Sequence, residues 1–135
     1  FMSLTASINE EKSAYRYGED KWSIKELTSH IIDSERVFAY RALRFARNDK
    51  TDLAGYDENH YGVFSNADER SFADLVHEFD VTRQSSIAMY KSFDSNMIER
   101  IGTANQMAID VKSLAYLISG HCAHHINILK ERYLD

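Results

Sequence analysis

The stretch Gly120-His121-Cys122-Ala123-His124-His125-Ile126-Asn127-Ile128-Leu129 places three of the chain's six histidines within five residues. Read as part of a helix from Asp110 to Tyr133, it continues a stripe of Val111, Leu114, Ile118, His121, His125, Ile128 and Leu129. The spacing by threes and fours is that of a buried helix face. His121 and His125 therefore stand where Leu or Ile is expected. Two imidazoles at i and i+4 project the same way and converge closely enough to share one metal ion through bonds of about 2.1 Å. The alternative is a pair of core histidines, each needing a hydrogen-bond partner, because an unpartnered buried imidazole costs on the order of 1–3 kcal/mol. His124 lies about 60° from His121 and 100° from His125 on the helical wheel, at the edge of the stripe or outside it.

Working outward, a second helix start is written at Ser23-Ile24-Lys25-Glu26, which has the form of a capping box, with Trp22 placed to staple against Leu27. Ile24, Leu27, Ile31, Phe38, Ala42 and Phe45 extend a stripe to Arg47, about 35 Å of helix. His30 flanks this stripe beside Ser34, Val37 and Arg41. A third helix opens at Ser71-Phe72-Ala73-Asp74 and runs to Phe93, its stripe broken by Thr82, Arg83 and Ser86. That break fits either a cavity at mid-height or a partly exposed seam. Asp110 is the expected cap of the last helix. Residues 1 to 17 carry only a weak helical pattern, so the first helix is expected to be short or truncated.

Two connections remain. Asn48 to Arg70, rich in turn formers and charge, is expected to be a long ordered loop without regular helix, packed down by Tyr56, Tyr61 and Phe64. Asn96 to Gln106 reads as a linker turning at Gly102, and no segment shows a strand period. The pattern as a whole predicts an all-α single domain over residues 1–135, a four-helix bundle in which cofactor sites are built from inward-facing side chains.

Composition narrows the function. Net charge is −5 without a basic run, which argues against nucleic acid and anionic membranes as partners and favours a small-molecule substrate or a protein partner. A single cysteine, Cys122, cannot form an internal disulfide, and no long apolar run is present, so a cytoplasmic setting is expected. Cys122 is turned about 100° from His121 and reads as a small packing residue. If the helices carrying His30 and His121 are neighbours, His30 can supply a third nitrogen, giving three imidazoles and an open position as in catalytic zinc sites. Zinc is the first expectation for such donors, with nickel or iron(II) also suited.

Lys21-Trp22-Ser23, the helix with His30, Glu35-Arg36 and Tyr40-Arg41, the Gly55-Tyr56-Asp57-Glu58-Asn59 segment, and Gly120-His121 through His125-Ile126 to Glu131-Arg132-Tyr133-Leu134 together resemble the DinB/YfiT-like superfamily. The resemblance implies a four-helix bundle holding a divalent metal through His30, His121 and His125. It also implies a metal-dependent hydrolase or a low-molecular-weight thiol S-transferase, with a thiol cosubstrate in the second case, and a homodimer. A non-catalytic metal- or ligand-binding bundle with a structural or stress-related role is the alternative. The sequence singles out no general base: Asp33 and Glu35 are adjacent candidates whose alternative is a solvated helix surface, and Asp57 or Glu58 can approach only if the loop folds over the mouth. Arg41 and Arg83 are placed either to bind an anionic substrate group or to form salt bridges across the bundle.

Overall fold

The computed structural model describes residues 1–134. The amino-terminal segment folds as two single turns, α1 (Met2–Thr5) and α2 (Glu10–Ser13), the second capped by Asn9. The weak periodicity of this region thus yields no long helix. Its apolar side chains still close one end of the molecule, where Ile8 packs with Ile24, Leu27, Phe72, Leu129 and Tyr133.

The long helix α3 (Ile24–Ala46) begins where its cap predicts. Ser23 Oγ accepts from the Glu26 amide at 3.0 Å, and Glu26 Oε2 accepts from the Ser23 amide at 2.8 Å. Ser23 Oγ also donates to Asp68 at 2.6 Å, so the cap anchors a distant loop as well. The buried face of α3 carries Ile24, Leu27, Ile31, Ile32, Ala42 and Phe45.

The connection that follows departs from expectation. It contains a regular helix, α4 (Glu58–Phe64), and a short 3-10 turn at Ala67–Glu69. Asp57 explains the difference, since its carboxylate accepts from the amides of Asn59 and His60 and nucleates the turn. Next comes α5 (Phe72–Lys91), capped by Ser71, with its buried face running through Phe72, Leu75, Phe79, Thr82 and Ser86. The polar break is therefore absorbed into the buried face. Ser86 Oγ donates to the Thr82 carbonyl, and Arg83 reaches across to Glu35. An open groove of about 480 Å³ lies alongside, between Tyr90 and Ile118.

After the single turn α6 (Ser95–Ile98), the expected linker is an antiparallel hairpin of β1 (Ile101–Ala104) and β2 (Met107–Asp110). Its turn is made by Asn105 and Gln106, both with positive φ, the geometry of a tight two-residue hairpin loop. Gly102 is not the turn. It lies in β1 because Phe45 packs against its bare Cα, where a Cβ would come within 2.0 Å of the ring. The last helix, α7 (Val111–Ile128), is capped by Asp110 and continues as a π-helical turn over Leu129–Tyr133, with Leu134 N donating to Leu129 O at 3.1 Å.

Helix α3 packs against both α5 and α7, and the core divides into three clusters along its length. Cys122 sits in the middle cluster with Ile31, Ile32 and Phe79, and burial pushes its thiol pKa up. No helix among the described residues is long and apolar enough to cross a membrane.

Two substitutions test this packing. Gly102→Ala should lower the unfolding free energy by about 1–3 kcal/mol, because the Phe45 ring must give way; denaturant melts with an unchanged m-value would show it, and a loss below about 0.5 kcal/mol would mean the ring is free to move. The Glu35 side chain is 2% exposed and accepts from Arg83 Nε at 3.0 Å and Nη2 at 2.9 Å. Glu35→Ala should cost about 3 kcal/mol by stranding Arg83, and the double replacement Glu35→Leu/Arg83→Leu should recover most of that loss.

Candidate metal centre

His30 lies in the second turn of α3, and His121 and His125 lie one turn apart on α7. Because these helices are direct neighbours, the three rings meet in the space between them. His121 Nε2 lies 3.0 Å from His30 Nε2 and 3.1 Å from His125 Nε2. The three form a compact group of metal-ligating type, with His30 and His125 buried and His121 half-buried.

Protons alone do not satisfy this arrangement. Neutral imidazole carries one donor and one acceptor nitrogen, so His121 Nε2 either donates once or accepts once, yet it has two close nitrogen neighbours. A cation facing three lone pairs satisfies all of them together. The donor set agrees with this, since three neutral imidazoles suit zinc, nickel or iron(II). Burial, followed by the neighbouring His121, lowers the His30 pKa to about 4. Burial likewise lowers His125 to about 3, helped by His121, His30 and His124, and shifts His121 downward too. All three lone pairs are therefore available at neutral pH. His125 Nδ1 is buried and has no hydrogen-bond partner among the described residues.

The rings are held from outside. Trp22 stacks on His30 with centroids 4.6 Å apart, and the Trp22 carbonyl accepts from the Tyr133 hydroxyl at 2.8 Å. Gly62 of α4 lies against the indole, where a Cβ would come within 3.1 Å of Trp22 Nε1. Phe38 meets His121 edge-on at 6.0 Å. Tyr56 and Ser34 share a hydrogen bond of 2.8 Å, tying the segment before α4 to α3 one turn past His30; burial raises the Tyr56 pKa.

The three imidazoles, Trp22, Phe38 and Tyr56 line a pocket of about 470 Å³ that opens toward solvent, with Arg41, Glu58, Asn59 and Asn105 also on its walls. His124 is exposed at the rim, as its place on the wheel predicts. His60 stacks on Phe64 on the outer side of α4, and His77 is exposed on α5. Of the candidate bases, Glu35 is committed to Arg83 and Asp57 to capping α4. Asp33 is half-buried near Arg36, with burial raising its pKa. Glu58 alone of the four lines the pocket, and its charge opposes the downward shift of His121. The sequence assigned Trp22 and Asn59 no place in the pocket, although both fall in motifs of the family resemblance, and it did not single out Asn105; a turn position carries no signature that says which cavity it borders.

Residues 1–129 match the family model described as the DinB superfamily. Among solved structures, the chain superposes on YfiT from Bacillus subtilis with a TM-score of 0.84 at 14% identity, covering 96% of this chain and 75% of that one. YfiT is described as a probable metal-dependent hydrolase with an unusual four-helix bundle topology, and at that identity the likeness establishes the fold. No curated protein sequence matches the chain. With nearly its whole length matched and its fold shared, the chain belongs to the DinB superfamily.

Proposed function

We propose that this protein is a divalent-metal-dependent enzyme acting on a small-molecule substrate, with His30, His121 and His125 as the metal ligands. The observation that carries this reading is the convergence of three neutral Nε2 atoms at the base of an open pocket. Nitrogens about 3 Å apart are spaced as two bonds of about 2.1 Å to one ion require. A divalent ion held by His30, His121 and His125 would supply Lewis acidity that lowers the pKa of a water or small thiol.

The chain's own residues divide the remaining work. Trp22 and Phe38 fix the planes of His30 and His121 and keep bulk water off their ring faces. Glu58 lines the same pocket and is the candidate acceptor for a proton from the nucleophile. Hydrolysis is the favoured chemistry, supported by the description of the structural relative YfiT. The second reading of the site is transfer of a low-molecular-weight thiol, in which the sulfur bonds to an electrophilic carbon of the substrate as its leaving group departs with the bonding pair, the thiol proton going to a base. Zinc is the first choice of ion, followed by nickel and iron(II).

Metal analysis of untagged protein tests the ligand set. About one divalent ion per chain is expected in the wild type, with at least a tenfold weaker affinity in His121→Ala; metal-free protein in both would sink the proposal. Catalysis on an exchangeable position is separated from a purely structural ion by water-proton relaxation with cobalt(II) or manganese(II) bound, where a closed four-ligand shell would show none.

The depressed histidine pKa values make a second prediction. In the metal-free protein His30 and His125 stay neutral in the fold down to about pH 4 and 3, whereas in the unfolded chain they protonate near 6.5. The unfolded state binds more protons in that window, so stability is full above about pH 6.5 and falls as pH drops, by on the order of 1–3 kcal/mol per histidine. Thermal melts between pH 7.5 and 5 should show the slope, and His30→Gln should reduce it. Equal slopes in wild type and variant would contradict the neutral buried state.

A further inference from the structure

We propose that Arg41 is the anchor for a single carboxylate on the substrate, held in the same pocket as the three imidazoles. This rests on the reading of that pocket as the substrate site. Arg41 is 9% exposed, yet its guanidinium has no carboxylate within 4 Å among the described residues. Arg16, Arg36, Arg44, Arg70 and Arg83 each pair with an acid. Of the five N–H donors of Arg41, one hydrogen bond is formed, from Nη2 to the Ala54 carbonyl at 3.1 Å. A buried cation without a counter-ion is costly unless something supplies the charge. Arg41 stands between the imidazole pocket and a groove beside Ala54, and we take the imidazole pocket as the side from which that something enters. Arg83, the other inward arginine, is satisfied by Glu35, so the two are separated by their partners.

The surroundings define the ligand. Arg41 stands eleven residues after His30 on α3, three turns on, about 20° around the helix and about 16 Å along it. Arginine stems lean toward the helix amino terminus, which shortens the gap. Phe38 lies between them on the same wall. The order imidazoles, aromatic wall, guanidinium fits a molecule with its reacting group at one end, a short apolar spacer, and a carboxylate at the other. A planar carboxylate matches the guanidinium fork. A dianionic phosphate fits less well, because Arg41 is the one Lys or Arg among the described residues of the wall and Glu58 shares it. The amides of Asn59 and Asn105 provide neutral donors beside the anchor.

The test uses the full chain, metal-free and metal-loaded, with hexanoate as probe and hexanamide and inorganic phosphate as controls, at constant ionic strength. Calorimetric titration should show saturable hexanoate binding at least tenfold tighter than either control, with or without metal. Arg41→Gln should abolish that preference while melting no lower than the wild type in ligand-free buffer, since it removes an uncompensated charge. Arg41→Lys should keep part of the binding, and a chemical-shift change at the Arg41 Nε–H should track hexanoate in the wild type. Equal binding of hexanoate and hexanamide, preference for phosphate, or unchanged hexanoate binding in Arg41→Gln overturns the proposal. Arg41-dependent binding in a protein that takes up no metal would keep the anchor and discard the metal-centred reading; metal uptake without it would do the reverse.

Discussion

Three imidazole nitrogens that meet at one point between two helices cannot be satisfied by one another's protons, and much of this fold consists of what keeps them there. Helix α3 is the shared element. It is clamped between α5 and α7, and its start is fixed by the mutual hydrogen bonds of Ser23 and Glu26. That cap sets the rotation of the helix, and the rotation sets His30 toward α7. Glu35, one turn and a half further on, is drawn to the opposite side by Arg83, so the two faces of α3 are pinned by unlike forces. At mid-height the Glu35–Arg83 pair joins α3 to α5 beside the apolar cluster of Ile31, Ile32, Phe79 and Cys122.

The three clustered histidines were legible because they rest on local rules. Helical spacing separated His121 and His125 from His124, and the capping box located the start of the helix that carries His30. Both readings need only periodicity and a side chain acting three residues away. Glu35 and Arg83 were legible as residues but not as partners, since their pairing depends on which faces of two helices meet. The same holds for Arg41: its burial follows from its place on α3, but the missing counter-ion is a property of the assembled molecule.

What was not legible lies between α3 and α7 in the chain. The hairpin has no apolar alternation and turns on Asn105-Gln106, a pair that tolerates positive φ without announcing it as Asn-Gly would. Its position is set from outside, by Leu53 bonding to Thr103 and Asn105 and by Phe45 against Gly102. Helix α4 was hidden in a run of turn formers because the residue that starts it, Asp57, is equally at home in a loop. Both elements border the pocket while contributing none of the imidazoles. The part of the protein that shapes what may enter is therefore encoded by long-range contacts, and the part that would hold an ion by short-range ones.

The π-helical turn at Leu129–Tyr133 extends this division into the carboxyl terminus. Such a turn is an α-helix with one extra residue, and here the insertion falls after His125. It rotates Tyr133 by about 100° relative to an uninterrupted helix without moving the histidines that precede it. That rotation brings the phenol to the Trp22 carbonyl, and Trp22 covers the His30 ring. A one-residue insertion or deletion in this turn would thus alter the covering of the site while its histidines stayed in place, which makes the π-helical turn a point where the pocket can be retuned independently of its centre.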